Sequence, residues 1–189
     1  MLNKFFNFYY DPVRQGFDSG TWTTVSGSPT ITNNRLSLTS AVILHFADLI
    51  RGEAAFNIKI SAPTAGDDKK FGFIEYSKGA YLYFKVAGAV LTAECSDGTT
   101  VKTTAIDWVS DWTNTNTEFK IKWEAGVATF SIGGQLKVQL TTSYTTVGVP
   151  DTVIPGDPMC LYLSAGDADI LLLNYIDVKG VESADLDVP

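Results

Sequence analysis

Tyr81 and Tyr83 stand two residues apart in Ala80-Tyr81-Leu82-Tyr83-Phe84-Lys85, so on an extended strand both rings share one face. Sugars bind by stacking their apolar faces on such rings, while nearby amides and carboxylates read the hydroxyls. Trp108 and Trp112 offer the same chemistry from the polar loop Asp107-Trp108-Val109-Ser110-Asp111-Trp112. The alternative for all four rings is to pack at the core or rim of a sandwich. Packing and glycan contact are the two uses these types and spacings allow.

Other reactive groups are sparse. His45 is the single histidine and sits in the apolar run Val42-Ile43-Leu44-His45-Phe46. A catalytic triad is therefore not expected there, and a packed or partly exposed strand histidine is. Cys95 and Cys160 are far apart and lack ligand spacing, which favours free, half-buried thiols over a bridge. Asp167-Ala168-Asp169, with Asp151 and Asp157, could lend oxygens to Ca2+. A hard cation needs several ligands converging from loops, and nothing here resembles an EF-hand. Solvated turn aspartates are expected instead, with no metal and no cofactor.

Phe5, Phe6, Phe8, Tyr9 and Tyr10 crowd the amino terminus. So dense an apolar patch is costly to leave in water. It forms either an edge strand covering a sheet or an arm that docks on a neighbouring subunit, in a homo-oligomer or a larger shell. The apolar stretch is too short for a signal peptide, is broken by Asn7, and lacks a small-residue cleavage site. No later stretch is long enough to cross a membrane as a helix. The expectation is a protein kept in the cytosol or carried out by another route, such as assembly into a virus particle.

These groups need a scaffold, and the composition supports one. The chain has 189 residues, 45% hydrophobic and 19% charged, as ordinary globular proteins do. At that length a domain buries roughly 70% of its extended surface and needs no disulfide or metal staple. The net charge of −7 argues against nucleic acid and anionic membrane as partners.

Period-two alternation runs along most of the chain and no window carries a helical stripe. In residues 118–123, Phe119, Ile121 and Trp123 share one face while Glu118, Lys120 and Lys122 share the other. Strands at 127–132 and 136–140 follow, joined by a tight Gly133-Gly134 hairpin. Similar short strands are predicted at 36–38, 42–46, 56–60, 71–76, 80–86, 90–95, 101–106, 159–163 and 169–179. Short strands at regular spacing, punctuated by Gly, Asn and Asp, mean an all-β sandwich or barrel. It is predicted over 18–180, after an arm or edge strand at 1–17 and before a frayed acidic tail at 181–189.

The order of features resembles a known superfamily. Trp22 precedes an Asn33-Asn34 turn and Leu36-Ser37-Leu38, then Gly52-Glu53-Ala54-Ala55-Phe56-Asn57-Ile58-Lys59. Later come Phe119-Lys120-Ile121-Lys122-Trp123, Val127-Ala128-Thr129-Phe130-Ser131-Ile132-Gly133-Gly134 and Asn174-Tyr175-Ile176-Asp177-Val178. This series is similar to the concanavalin A-like lectins and glucanases, which include laminin-G-like domains and family 16 glycoside hydrolases. The resemblance implies an antiparallel two-sheet jelly-roll sandwich. The mixture of many Thr, Asn and Gly residues also resembles such domains in bacteriophage structural proteins.

The family's retaining hydrolases carry two carboxylates about 5 Å apart on one strand, spaced Glu-x-Asp-x-x-Glu. Here the corresponding strands read Phe71-Gly72-Phe73-Ile74-Glu75-Tyr76 and Ala80-Tyr81-Leu82-Tyr83-Phe84-Lys85. Glu75 is alone, and Asp67 and Asp68 are adjacent, as in a solvated loop. The family's lectin calcium pattern, carboxylates plus a histidine, is also missing. The expectation is a non-enzymatic structural or adhesive module, displayed on a phage capsid or tail and partnered by its own copies or other virion proteins. The alternative is a carbohydrate-binding module using Tyr81, Tyr83, Trp108 and Trp112 on surface glycans, with a divergent glycanase third.

Overall fold

A computed structural model of the chain describes residues 4–17, 20–60, 68–75, 77–88, 90–107, 110–113, 115–124, 126–141, 143–146, 149–152, 154–155, 158–166 and 171–182. Trp108, Asp157, Asp167, Ala168, Asp169 and 183–189 of the expected tail lie outside these, and only the backbone of Asp151 is described.

The described residues form sixteen strands, one helical turn (α1, Pro12–Gln15) and a 3-10 turn (Ser110–Thr113). The first five strands are β1 (Lys4–Tyr10), β2 (Thr23–Ser26), β3 (Thr30–Thr32), β4 (Arg35–Leu38) and β5 (Ala41–Ile60). Then come β6 (Asp68–Glu75), β7 (Ala80–Ala87), β8 (Val90–Asp97), β9 (Val101–Ile106), β10 (Thr117–Glu124), β11 (Val127–Ile132) and β12 (Gln135–Thr141). A small ribbon of β13 (Ser143–Thr146) and β14 (Val149–Thr152) precedes β15 (Met159–Ala165) and β16 (Leu171–Glu182).

β5 organises the molecule. Its first half pairs with β2 and β15, placing Leu44 beside Thr23 and Tyr162. Its second half pairs with β10 and β16, placing Phe56 beside Phe119 and Ile176. One layer therefore runs β2–β5–β15–β6–β7–β8–β9, and the other β12–β11–β10–β5–β16, extended by β1, β4 and β3. Alternation in the sequence suggests two short strands here, at 42–46 and 56–60. The chain instead stays extended between them because each half finds partners in a different layer. Gly52 permits the close passage of β16, since a Cβ there would lie 2.5 Å from the Lys179 carbonyl oxygen.

The two layers meet through aromatic rings on strands that share no ladder. Phe71 of β6 lies 5.2 Å from Phe119 of β10, Phe84 of β7 lies 5.1 Å from Phe130 of β11, and Phe73 lies 4.2 Å from Trp123. All are buried, and full burial of each such side chain stabilises by about 1.5–3 kcal/mol. This is the expected antiparallel sandwich. Gly133 and Gly134 make the expected hairpin with φ of +56° and +76°.

The aromatic amino terminus is a strand of the second layer. β1 pairs with β16 from Lys4↔Glu182 to Tyr10↔Ile176. Phe6, Phe8 and Tyr10 turn inward, where Phe8 packs 4.1 Å from His45 and Tyr10 packs 5.2 Å from Trp22. The Tyr10 hydroxyl donates to the Gly16 carbonyl at 2.7 Å. Phe5 and Tyr9 alternate outward and remain exposed. Among the described residues no helix is long and apolar enough to cross a membrane.

Candidate functional site

The first layer has one apolar and one mixed face. Leu82, Phe84 and Val86 of β7 point to the core, so Tyr81, Tyr83 and Lys85 point away from it. Cross-strand register lines them up with their neighbours on β8, β6 and β15. The central row reads Glu94, Tyr83, Gly72, Tyr162. On one side lies Thr92, Lys85, Lys70, Ser164, and on the other Ser96, Tyr81, Ile74, Cys160.

Gly72 shapes the centre. A Cβ there would fall 2.7 Å from the Tyr83 Cβ, so glycine lets the flanking tyrosines close over a backbone with no side chain. Tyr83 stacks on Tyr81 with centroids 4.2 Å apart and planes 10° apart, and lies 6.4 Å from Tyr162. The three rings form a continuous aromatic floor. Tyr83, only 6% exposed, is its middle, while Tyr81 and Tyr162 are half-buried and present ring surface to solvent.

Charge surrounds this floor. Asp68 reaches Lys85 at 3.2 Å and Lys70 at 3.9 Å, and the Lys70 ammonium lies 5.7 Å from the Tyr83 ring centroid. Glu94 is buried beside Tyr83, with the Thr92 hydroxyl 3.2 Å from its Oε1. Burial, then the hydrogen bond and charge of Tyr81 and the charges of Glu94 and Tyr162, push the Tyr83 phenol above its ordinary value. Burial opposes the Lys85 ammonium, but the Asp68 hydrogen bond and the charges of Glu94 and Asp68 outweigh it and hold Lys85 above its usual value.

Both raised values favour the protonated form in the folded state. Their stabilisation is fully present below the unfolded values of 10.0 and 10.5 and is lost as pH rises through the folded ones. The urea midpoint is therefore expected to fall above pH 10, and to fall less in Tyr83→Phe. An identical alkaline fall in Tyr83→Phe would refute this role for the phenol.

Of the four rings singled out in the sequence, only Tyr81 and Tyr83 stand together here. Trp112 is 5% exposed and packs edge-on against Phe119 at 5.5 Å, which makes it a core residue and removes it from any ligand-facing rim. Trp108 is outside the described residues. Glu75 caps a turn: it accepts from the Ser77 hydroxyl at 2.5 Å and from the Ser77 and Lys78 amides. Although burial opposes this, those hydrogen bonds hold its carboxyl below the usual range.

Asp68 is a strand residue committed to two lysines, where its adjacency to Asp67 suggested a solvated loop; Asp67 lies outside the described residues. Glu94, Tyr162 and Lys70 are the members that reasoning along single strands misses. The Thr92-Leu91-type alternation of β8 already puts Thr92, Glu94 and Ser96 on one face, but only register shows that this face is shared with the tyrosines. Cys95 and Cys160 are buried free thiols; burial pushes Cys95 up to about 11, and Cys160 donates to the Ile74 carbonyl at 3.2 Å. The described residues hold no cluster of three or more His, Cys, Asp or Glu that could bind a metal.

No family model matches the chain, and no curated protein sequence does. Solved structures do. The apo Crh5 transglycosylase matches with a TM-score of 0.75 at 15% identity, over 95% of this chain and 85% of that one. The laminarinase catalytic domain from Thermotoga maritima matches at 0.74 and 13% identity, over 97% and 99%. SCLam, a non-specific endo-β-1,3(4)-glucanase of family GH16, matches at 0.73 and 11%, over 95% and 93%. The fold is a concanavalin A-like jelly roll.

These neighbours correct the expectation of a non-enzymatic, phage-displayed module, because they are glycan-processing enzymes matched over nearly the whole chain. That expectation leaned on the lack of paired acids along one strand. Among the described residues the tyrosine face holds one buried carboxyl, Glu94 of β8, which a search for pairs along one strand passes over.

Proposed function

We propose that the protein processes a glycan chain held along the tyrosine face, cleaving or transferring a glycosidic link. The observation that carries this is the convergence on one face of Tyr81, Tyr83 and Tyr162 with the buried carboxyl of Glu94. Stacked rings give sugar faces a platform, and carboxylate, ammonium and hydroxyl groups around it can read the hydroxyls. The 1,3-β-glucans named for the neighbouring enzymes, and the NAG bound to the Crh5 transglycosylase, supply the chain types to test first.

Glu94 is the proton-transferring group. Its carboxylate takes the proton of the attacking water or acceptor hydroxyl as that oxygen bonds to the anomeric carbon, and passes it to the departing glycosidic oxygen as the old bond breaks. Asp68 is not its partner: it begins β6 opposite Ala87, four residues along β7 from Tyr83, and is held by Lys70 and Lys85. The single acid departs from the paired-carboxylate arrangement of retaining enzymes. The test is release of new reducing ends, or formation of longer products, from laminarin, mixed-linkage β-glucan and chitin oligosaccharides. Turnover that disappears in Tyr81→Ala/Tyr83→Ala supports the proposal. No turnover on any of these, or turnover indifferent to those changes, overturns it.

A further inference from the structure

The second layer carries a groove on the side facing away from the core. Asn7, Lys179, Glu53, Lys122 and Thr129 are successive cross-strand partners on β1, β16, β5, β10 and β11 and form one bank. In the next row Phe6, Gly180, Gly52 and Trp123 turn inward, so along β16 and β5 the floor is bare glycine backbone. Beyond it Phe5, Arg51 and Glu124 make the other bank. A cavity of about 340 Å³ lies between these banks. A second, of about 330 Å³, shares Arg51, Lys122 and Glu124 with it and continues to Thr129. Four strand spacings of about 4.8 Å make the groove roughly 19 Å long.

Its chemistry suits a neutral, hydroxylated chain. Glu53 and Glu124 accept hydrogen bonds, while Arg51, Lys122 and Asn7 donate them. Phe5, 80% exposed at one end, offers a bare ring face. Arg51 is exposed and makes no ion pair among the described residues. The Lys122–Glu124 pair, at 2.9 Å, is solvent-exposed and therefore weak enough to re-pair with hydroxyls. A polyanion would meet Glu53 and Glu124 beside Arg51, Lys122 and Lys179, so the mixed lining favours a neutral chain. A peptide would need a free strand edge to pair with, whereas this groove crosses strands whose backbones are already laddered.

We infer that this groove is a second glycan-binding site, which holds a polymeric chain on the layer opposite the tyrosine face. It rests on the proposed function only for the class of ligand. Two sites on one polymer raise the effective concentration of chain at each. In calorimetry with soluble laminarin, Phe5→Ala/Arg51→Ala is expected to weaken polymer binding about tenfold or more. Binding is expected to survive, reduced, in Tyr81→Ala/Tyr83→Ala and to vanish when all four changes are combined. Lys122→Ala, on an exposed side chain, gives the same weakening should the double variant fold poorly. Wild-type binding in Phe5→Ala/Arg51→Ala and in Lys122→Ala would overturn the second site. Complete loss in Tyr81→Ala/Tyr83→Ala would also overturn it, while leaving the proposed function standing. Binding lost only in the Phe5, Arg51 and Lys122 variants, with no turnover, would uphold the groove and defeat the proposed function instead.

Discussion

Replacing Glu94 by Gln is expected to lower glycan turnover by about 100- to 10,000-fold while changing affinity for the chain only slightly. The amide keeps the shape of the carboxyl and can still meet the Thr92 hydroxyl 3.2 Å away, so the packing beside Tyr83 is retained. What it cannot do is take a proton from the attacking oxygen and pass it to the departing one. The loss must therefore fall on kcat, because the stacking surface of Tyr81, Tyr83 and Tyr162 is untouched. Asp68→Asn makes the contrast. It removes the anion that Lys70 and Lys85 share, which disturbs the edge of the floor, and its effect should appear mainly in KM. Single-turnover rates with matched binding isotherms separate the two. A Glu94→Gln variant that turns over within about threefold of the wild type would show that proton transfer runs through another group.

Much of this face is legible in the sequence one strand at a time. Alternation alone puts Tyr81 and Tyr83 on one side of β7 and Leu82 and Phe84 on the other, and it also marks Gly133-Gly134 as a hairpin. Register is what alternation along a single strand cannot supply. Glu94, Lys70 and Tyr162 lie on three different strands, and they meet only because β8, β6 and β15 stack in one order. Glu94 therefore escapes a search for two carboxylates two or three residues apart on one strand. The same gap explains Trp112. Its polar neighbours Ser110 and Asp111 suggest a rim, but a short 3-10 turn swings its ring onto Phe119. β2 and β3 escape notice for another reason: their residues are all exposed, so no apolar alternation marks them.

The amino terminus shows how a pattern can be right and its use open. Phe6, Phe8 and Tyr10 alternate with Phe5, Asn7 and Tyr9, as a strand must, but composition cannot say whose sheet the strand joins. β16 settles it by offering seven paired positions in the same chain. The inward rings then close over His45 and Trp22, a histidine that triad chemistry had no use for and that serves packing. Phe5 and Tyr9 are left outside by parity, and the exposure of Phe5 becomes a property of the groove on the second layer.

Phe84→Ala is expected to destabilise the fold by about 3–5 kcal/mol, enough to consume much of a domain's stability. The ring is fully buried and touches Phe71 at 5.4 Å in its own layer, then Phe119 at 5.4 Å and Phe130 at 5.1 Å across the core. Truncation removes its transfer free energy and leaves a cavity between layers that β-ladders hold apart, so the walls relax little. Because Tyr83 and Lys85 flank Phe84 on the same strand, slack at this position also loosens the floor and should weaken glycan binding. Phe84→Leu fills most of the space and should cost much less. Urea unfolding with an unchanged m-value checks this, since a shift in midpoint at constant slope reports stability alone. A loss below about 1 kcal/mol in Phe84→Ala would mean that the layers close over the gap, and that the aromatic contacts between them do not hold the tyrosine face in place.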